Sequence, residues 1–66
     1  MRIILNGADT AGAASVADLV QRHLGVAEPH GVAVAVDGEV VPRSAWPDRL
    51  LTHGAVVEIV TAVQGG

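Results

Sequence analysis

The chain has no cysteine, which excludes disulfides and thiolate metal sites. Lysine is absent too: the four basic residues are all arginine, Arg2, Arg22, Arg43 and Arg49. They form no cluster, Phe and Tyr are missing, and Trp46 is the single aromatic residue. A nucleic-acid footprint of basic patches and stacking rings is therefore not present. A modifier that builds chains on itself needs acceptor amines, and here only the N-terminal amine is on offer, so chain-forming conjugation is disfavoured. No apolar run has the roughly 20 residues a membrane helix needs. The opening run, Ile3-Ile4-Leu5, stops at Asn6-Gly7 and is too short for a signal-peptide core. A cytoplasmic protein without a membrane partner is expected. His23, His30 and His53 stand singly and make no ligand spacing, so no metal site is expected.

What is present is a single domain over residues 1–66, with a net charge of −3 and half its residues hydrophobic, mostly Val and Ala. That composition folds and stays in solution. A chain this short buries only about 60% of the surface its unfolded form exposes, which leaves little core to spare.

Arg2 to Leu5 reads as a strand ended by the Asn6-Gly7 turn pair. Ala8 to Ala14 is either a loop or a short second strand. Ser15 to Leu24 reads as a helix: Ser15 caps it, Asp18 stands three residues on, and Val16, Leu19, Val20 and Leu24 share one face. His23 borders that face and is expected to lean on the core, and Gly25 is a left-handed stop. After the loop Glu28-Pro29-His30-Gly31, two β-rich runs, Val32–Val36 and Glu39–Pro42, flank Asp37-Gly38, a pair suited to a type I′ hairpin turn. Pro42 and Pro47 bracket a segment that leaves the sheet or follows its edge. Asp48 to Leu51 is ambiguous, and Thr52-His53-Gly54 is a turn. Val56–Val60 is the last strand, and its continuous apolar character predicts a central, well-covered position. The last strand can pair beside the first. The order describes an α+β roll, a mixed sheet of four to five strands gripping one main helix.

The chain ends Thr61-Ala62-Val63-Gln64-Gly65-Gly66. Terminal glycines stabilise nothing by burial and cost entropy to order. They do allow an extended backbone to enter a narrow channel and deliver a bare carboxylate, ionised at pH 7 because an α-carboxyl titrates at about 3.3 to 3.7. Transfer of AMP from ATP onto that carboxylate would create a leaving group that a sulfur donor could displace. A Gly-Gly end is also common in chains that make no use of it; its weight here comes from following a strong strand in a very small α+β domain.

Two strings carry a more specific likeness: Val32-Ala33-Val34-Ala35-Val36-Asp37-Gly38-Glu39-Val40-Val41-Pro42-Arg43-Ser44, with Trp46 two residues on, and Val57-Glu58-Ile59-Val60-Thr61-Ala62-Val63-Gln64-Gly65-Gly66. They resemble the sulfur carrier proteins of thiamine biosynthesis, the ThiS family, and the resemblance extends over the whole chain in length and element order. It implies a β-grasp fold like that of ubiquitin. It implies adenylation of Gly66 by an E1-like, ThiF-type enzyme that uses ATP. It implies conversion to a thiocarboxylate by a sulfur donor protein and delivery of sulfur to thiazole synthase. On this reading the chain binds no cofactor of its own, has no catalytic residues and is not an enzyme. Gly66 is the site of covalent attachment, and Val63, Gln64 and Gly65 thread into the partner, with residues from about 62 to 66 expected to be a flexible tail. Two departures stand out. Asp37 occupies a turn position where relatives more often have Asn, and Thr52-His53-Gly54-Ala55 replaces a turn that is often acidic, which weakens the case for a negatively charged contact there.

Relatives that serve molybdopterin synthesis or another sulfur pathway share the Gly-Gly end; the closing string favours thiamine. A different class is a non-covalent ubiquitin-like interaction module that binds through its sheet with an inert tail. An independent enzyme is disfavoured, since no nucleophile, base and orienting group come together. Arg43 and Trp46 are candidate partner contacts, because both residue types are enriched among interface anchors. The competing reading of Trp46 is as core filler in a domain without Phe or Tyr. His30 and His53 are expected to be solvated, and Glu58 to face solvent from the last strand.

Overall fold

The computed structural model describes residues 1–25 and 30–61. The start of the loop at Glu28 and Pro29, and the tail with Val63, Gln64, Gly65 and Gly66, lie outside the described residues. The elements are β1 (Arg2–Leu5), β2 (Ala8–Ala11), α1 (Val16–Leu24), β3 (Val32–Val36), β4 (Glu39–Val41), a 3-10 turn (Arg43–Ala45) and β5 (Val56–Thr61). The strands form one mixed sheet in the order β2-β1-β5-β3-β4. Among the described residues, only the β1–β5 pairing is parallel. This is the β-grasp arrangement expected from the sequence.

Both hairpins turn on the same device. Asn6 (φ 50) with Gly7 (φ 82), and Asp37 (φ 51) with Gly38 (φ 83), supply two consecutive left-handed residues. That is the signature of a type I′ turn, whose twist matches the strands it joins. The first hairpin settles the open reading of Ala8–Ala14: residues 8–11 are a strand in register with β1, from Leu5↔Ala8 to Arg2↔Ala11.

The helix begins as expected, with Ser15 Oγ accepting from the Asp18 N–H at 3.2 Å, and ends at Gly25 (φ 78), whose N–H donates to Gln21 O. The remaining exposed donors of its first turn are met from far along the chain. Val16 N–H donates to Arg49 O at 2.9 Å and Ala17 N–H to Trp46 O at 3.1 Å. The carbonyls of Trp46 and of Arg49, the latter within Asp48 to Leu51 that was ambiguous in the sequence, thus satisfy groups that a helix start leaves open.

One core lies between α1 and one face of the sheet. Val16, Leu19 and Val20 of the helix join Ile3 and Leu5, Val34 and Val36, Val41, and Val57 and Ile59 of the strands, with Trp46, Leu51 and Ala55 closing the ends. Each fully buried Val, Leu or Ile contributes about 1.5 to 3 kcal/mol, so a thin aliphatic core depends on every member. His23 departs from its expected place: it is exposed, on the last turn of the helix, and does not lean on the core. Strand β5 also departs in part. It is central as predicted, but only Val57 and Ile59 are buried, while Val56 and Val60 are 45% and 59% exposed. One helix covers one face, so the run of apolar residues reflects β-branched strand formers on both faces and burial on one.

Candidate functional site

The strand that leads to the C-terminus is held from both sides. On one flank the Asn6 side chain bonds both backbone groups of Ile59, its Nδ2–H donating to the carbonyl at 3.2 Å and its Oδ1 accepting from the N–H at 2.9 Å. On the other flank the Asp37 carboxylate accepts from the Val56 N–H at 2.9 Å, and the Asp37 N–H donates to Val56 O at 2.7 Å. The first residue of each I′ turn therefore has a second use as a clamp on β5. The sequence singled out both turn pairs, but the reach of their side chains across the sheet left no local signal.

Strand β5 runs antiparallel to β3 up to Val32↔Thr61. Thr61 is exposed and is the last described residue. The candidate residues Gly66, Gly65, Gln64 and Val63 follow it within five positions. The sheet thus fixes where the C-terminal arm begins: at the middle of the molecule's width, at the end of the sheet to which β4 also runs.

The two other candidates part company. Trp46 is buried at 3% exposure, and its Nε1–H donates to Val41 O at 2.9 Å. It is a core residue with its one polar group satisfied, and as a surface contact it is corrected. The physical reason is the one weighed against it: without Phe or Tyr, the indole is the large apolar body that closes the core beyond β4. Arg43 is exposed, with its guanidinium carbon 5.3 Å from the centre of the Trp46 ring, so the indole face holds the cation near the surface.

No group of three or more His, Cys, Asp or Glu among the described residues could hold a metal ion, and no buried side-chain nitrogen or oxygen among them lacks a partner. A shallow groove of about 210 Å³ lies beside β4, bordered by Glu39, Asp48 and Arg49, with Arg49 3.7 Å from the Glu39 carboxylate. It is open and mostly apolar, and its charges balance each other or face water. His53 is exposed, as expected of a turn residue, but not idle: its Nδ1 accepts from the Arg2 N–H at 3.0 Å and ties the turn to β1.

Sequence reasoning missed a surface. Ile4, Val56, Val60 and Val40 are 36, 45, 59 and 72% exposed and lie on the sheet face turned away from the helix. Alternation in β1 and β4 was the available signal, and short strands carry it weakly.

A small helix-gripping sheet, with its C-terminal strand at the centre and a Gly-Gly end, defines a ubiquitin-like β-grasp domain. The ThiS family matches residues 3–66, and the chain belongs to that family. It is similar to the crystal structure of the thiamine biosynthesis protein ThiS from Geobacter metallireducens, at 30% identity and a TM-score of 0.73 over the full length of both chains. It is likewise similar to the solution structure of a thiamine biosynthesis protein from the same organism, at 33% identity and a TM-score of 0.73, covering this chain fully and 88% of the other. Curated proteins give no significant match.

Proposed function

We propose that this chain is the sulfur carrier of thiamine thiazole formation and that Gly66 is its working residue. Membership of the ThiS family across residues 3–66 carries this reading, and the Geobacter thiamine biosynthesis proteins of like fold agree with it. A Gly66 carboxylate oxygen attacks the α-phosphorus of ATP on an E1-like adenylating enzyme, and pyrophosphate leaves. Free sulfide, HS⁻, supplied by the donor attacks the acyl carbon, AMP leaves with the C–O bond's electrons, and the thioacid formed loses its proton. The resulting thiocarboxylate is a soft nucleophile on a covalent arm, and thiazole synthase receives its sulfur. The chain supplies the folded handle and the arm; ATP and the catalytic groups belong to the partner. Side-chain-free Gly65 and Gly66 suit a narrow channel, and Val63 is the last residue with a bulky apolar side chain to anchor the arm.

Mass spectrometry tests this. The chain, an E1-like adenylating enzyme, ATP and a sulfur donor are incubated, and the product is fragmented. Exchange of one oxygen for sulfur, localised to Gly66 and trapped by an alkylating agent, is the expected outcome. An unchanged C-terminus, with the same enzyme active on another carrier, would favour the interaction module with an inert tail.

A further inference from the structure

We infer that the open face of the sheet is a latent surface for a second copy of this chain, and that the Glu58 carboxylate at its centre keeps two copies from pairing through it. This holds whether or not Gly66 carries sulfur.

The register lays the face out around β5. Val56, Glu58 and Val60 alternate with the buried Val57 and Ile59, and so project from the side turned away from the helix. Ile4 stands beside Val56 on one flank. On the other flank Ala35 and then Val40 stand beside Glu58, and Ala33 stands beside Val60. Ile4, Val40, Val56 and Val60 are the exposed large apolar residues of the strands. Glu58 therefore has apolar neighbours both along its strand and across the sheet, in a patch of the kind that ordinarily marks an interaction site.

Charge decides what happens when two such patches meet. Arg2 and Asp9, at the β1–β2 edge of this face, pair with each other at 2.9 Å. Glu58 has no such partner: the ion pairs among the described residues are Arg2–Asp9 and Arg49–Glu39. Two copies of one chain associate isologously, each presenting the same patch about a twofold axis. An axis through the middle of this patch lays apolar residues on apolar residues and sets the Glu58 carboxylate of one copy against that of the other.

Closing that pair would strip water from two like charges among Val40, Val56 and Val60, with no counter-charge to receive them. The apolar residues favour the contact and one carboxylate per copy forbids it, a barrier of the kind sheets use against unwanted association. The net charge of −3 adds a diffuse repulsion that salt screens. The Glu58 effect differs from it in being tied to one position, and a charge removed elsewhere separates the two.

Sedimentation velocity on the full chain tests this, with circular dichroism confirming that each variant folds. The wild type is expected to be monomeric, and Glu58→Gln to dimerise at least about tenfold more tightly. Asp18→Asn removes the same charge from the exposed side of the helix and is expected to stay monomeric. Glu58→Arg is expected to be monomeric alone and to form a one-to-one heterodimer with the wild type, since opposite charges then meet at the axis. Val60→Asp added to Glu58→Gln is expected to restore the monomer. A dimeric wild type or a Glu58→Gln chain as monomeric as the wild type would overturn the inference. So would an Asp18→Asn chain that dimerises as Glu58→Gln does, a Glu58→Arg mixture that stays monomeric, or a Glu58→Gln dimer that survives Val60→Asp.

Discussion

Asn6 and Ile59 pair through an amide side chain on one strand's end and both backbone groups of the other, 53 positions apart in sequence. The side chain acts as one more rung of the β1–β5 ladder, just beyond the point where Gly7 turns β1 away. Asn6→Ala leaves the Ile59 N–H and carbonyl without that partner and places a residue less tolerant of φ 50 at the turn. We expect a loss of about 2 to 3 kcal/mol in chemical denaturation, since each partly buried group left unpaired costs about 1 kcal/mol or more. Asn6→Asp keeps the acceptor and should cost less; an equal loss would mean that the donated bond to the carbonyl, and not the accepted one, carries the clamp.

Asp37 clamps the other flank through one accepted bond from Val56 N–H. Asn offers the same oxygen and tolerates the same backbone angle. Asp37→Asn should therefore stay within about 0.5 kcal/mol of the parent, while Asp37→Ala should cost about 1 to 2 kcal/mol. A large loss on Asp37→Asn in urea unfolding would show that the charge, not the bond, matters.

Trp46 combines core volume with a satisfied N–H. Trp46→Phe keeps most of the area and leaves the Val41 carbonyl with one partner fewer; we expect a loss of about 1 to 2 kcal/mol. Trp46→Ala should cost about 3 to 5 kcal/mol, enough to unfold much of so small a domain. As the single fluorophore of its kind it also reports on itself: emission should be blue-shifted in the native state and move to the red cooperatively with loss of circular dichroism.

Ser15 satisfies the Asp18 N–H at the helix start, and Ser15→Ala should lower stability by about 1 kcal/mol. Thermal unfolding that shows no change would mean that the carbonyls of Trp46 and Arg49 hold the helix start without it.

Local chemistry made most of the fold legible. Asp37-Gly38 between β-branched runs marked its hairpin, Ser15 and Gly25 marked the helix ends, and the spacing of Val16, Leu19 and Val20 marked its buried face. Strand β2 was not legible because Ala8-Asp9-Thr10-Ala11 has little strand propensity; its pairing with β1 and the Asn6-Gly7 turn impose the conformation. Asp48 to Leu51 was opaque because the bonds of Arg49 and Leu51 go to residues at the helix start, more than about 30 positions earlier. The open sheet face was not legible, since Val56 and Val60 look the same in sequence as the buried Val57 and Ile59.

Strand β5 is made last among the elements and sits in the middle of the sheet. Without it the remaining strands are two hairpins, β1–β2 and β3–β4, with no described pairing between them, and a lone hairpin is marginal in water. During synthesis each hairpin can close within microseconds of emerging, but the domain assembles only when Val56–Thr61 arrives to join them. A chain ending at Ala55 should show no cooperative unfolding transition in calorimetry; a sharp one would refute this order of events. The strand that completes the fold is also the one that leads to the C-terminal glycines, so a molecule cut short before β5 loses its native structure along with its arm and is left to proteolysis, not to compete with intact carriers.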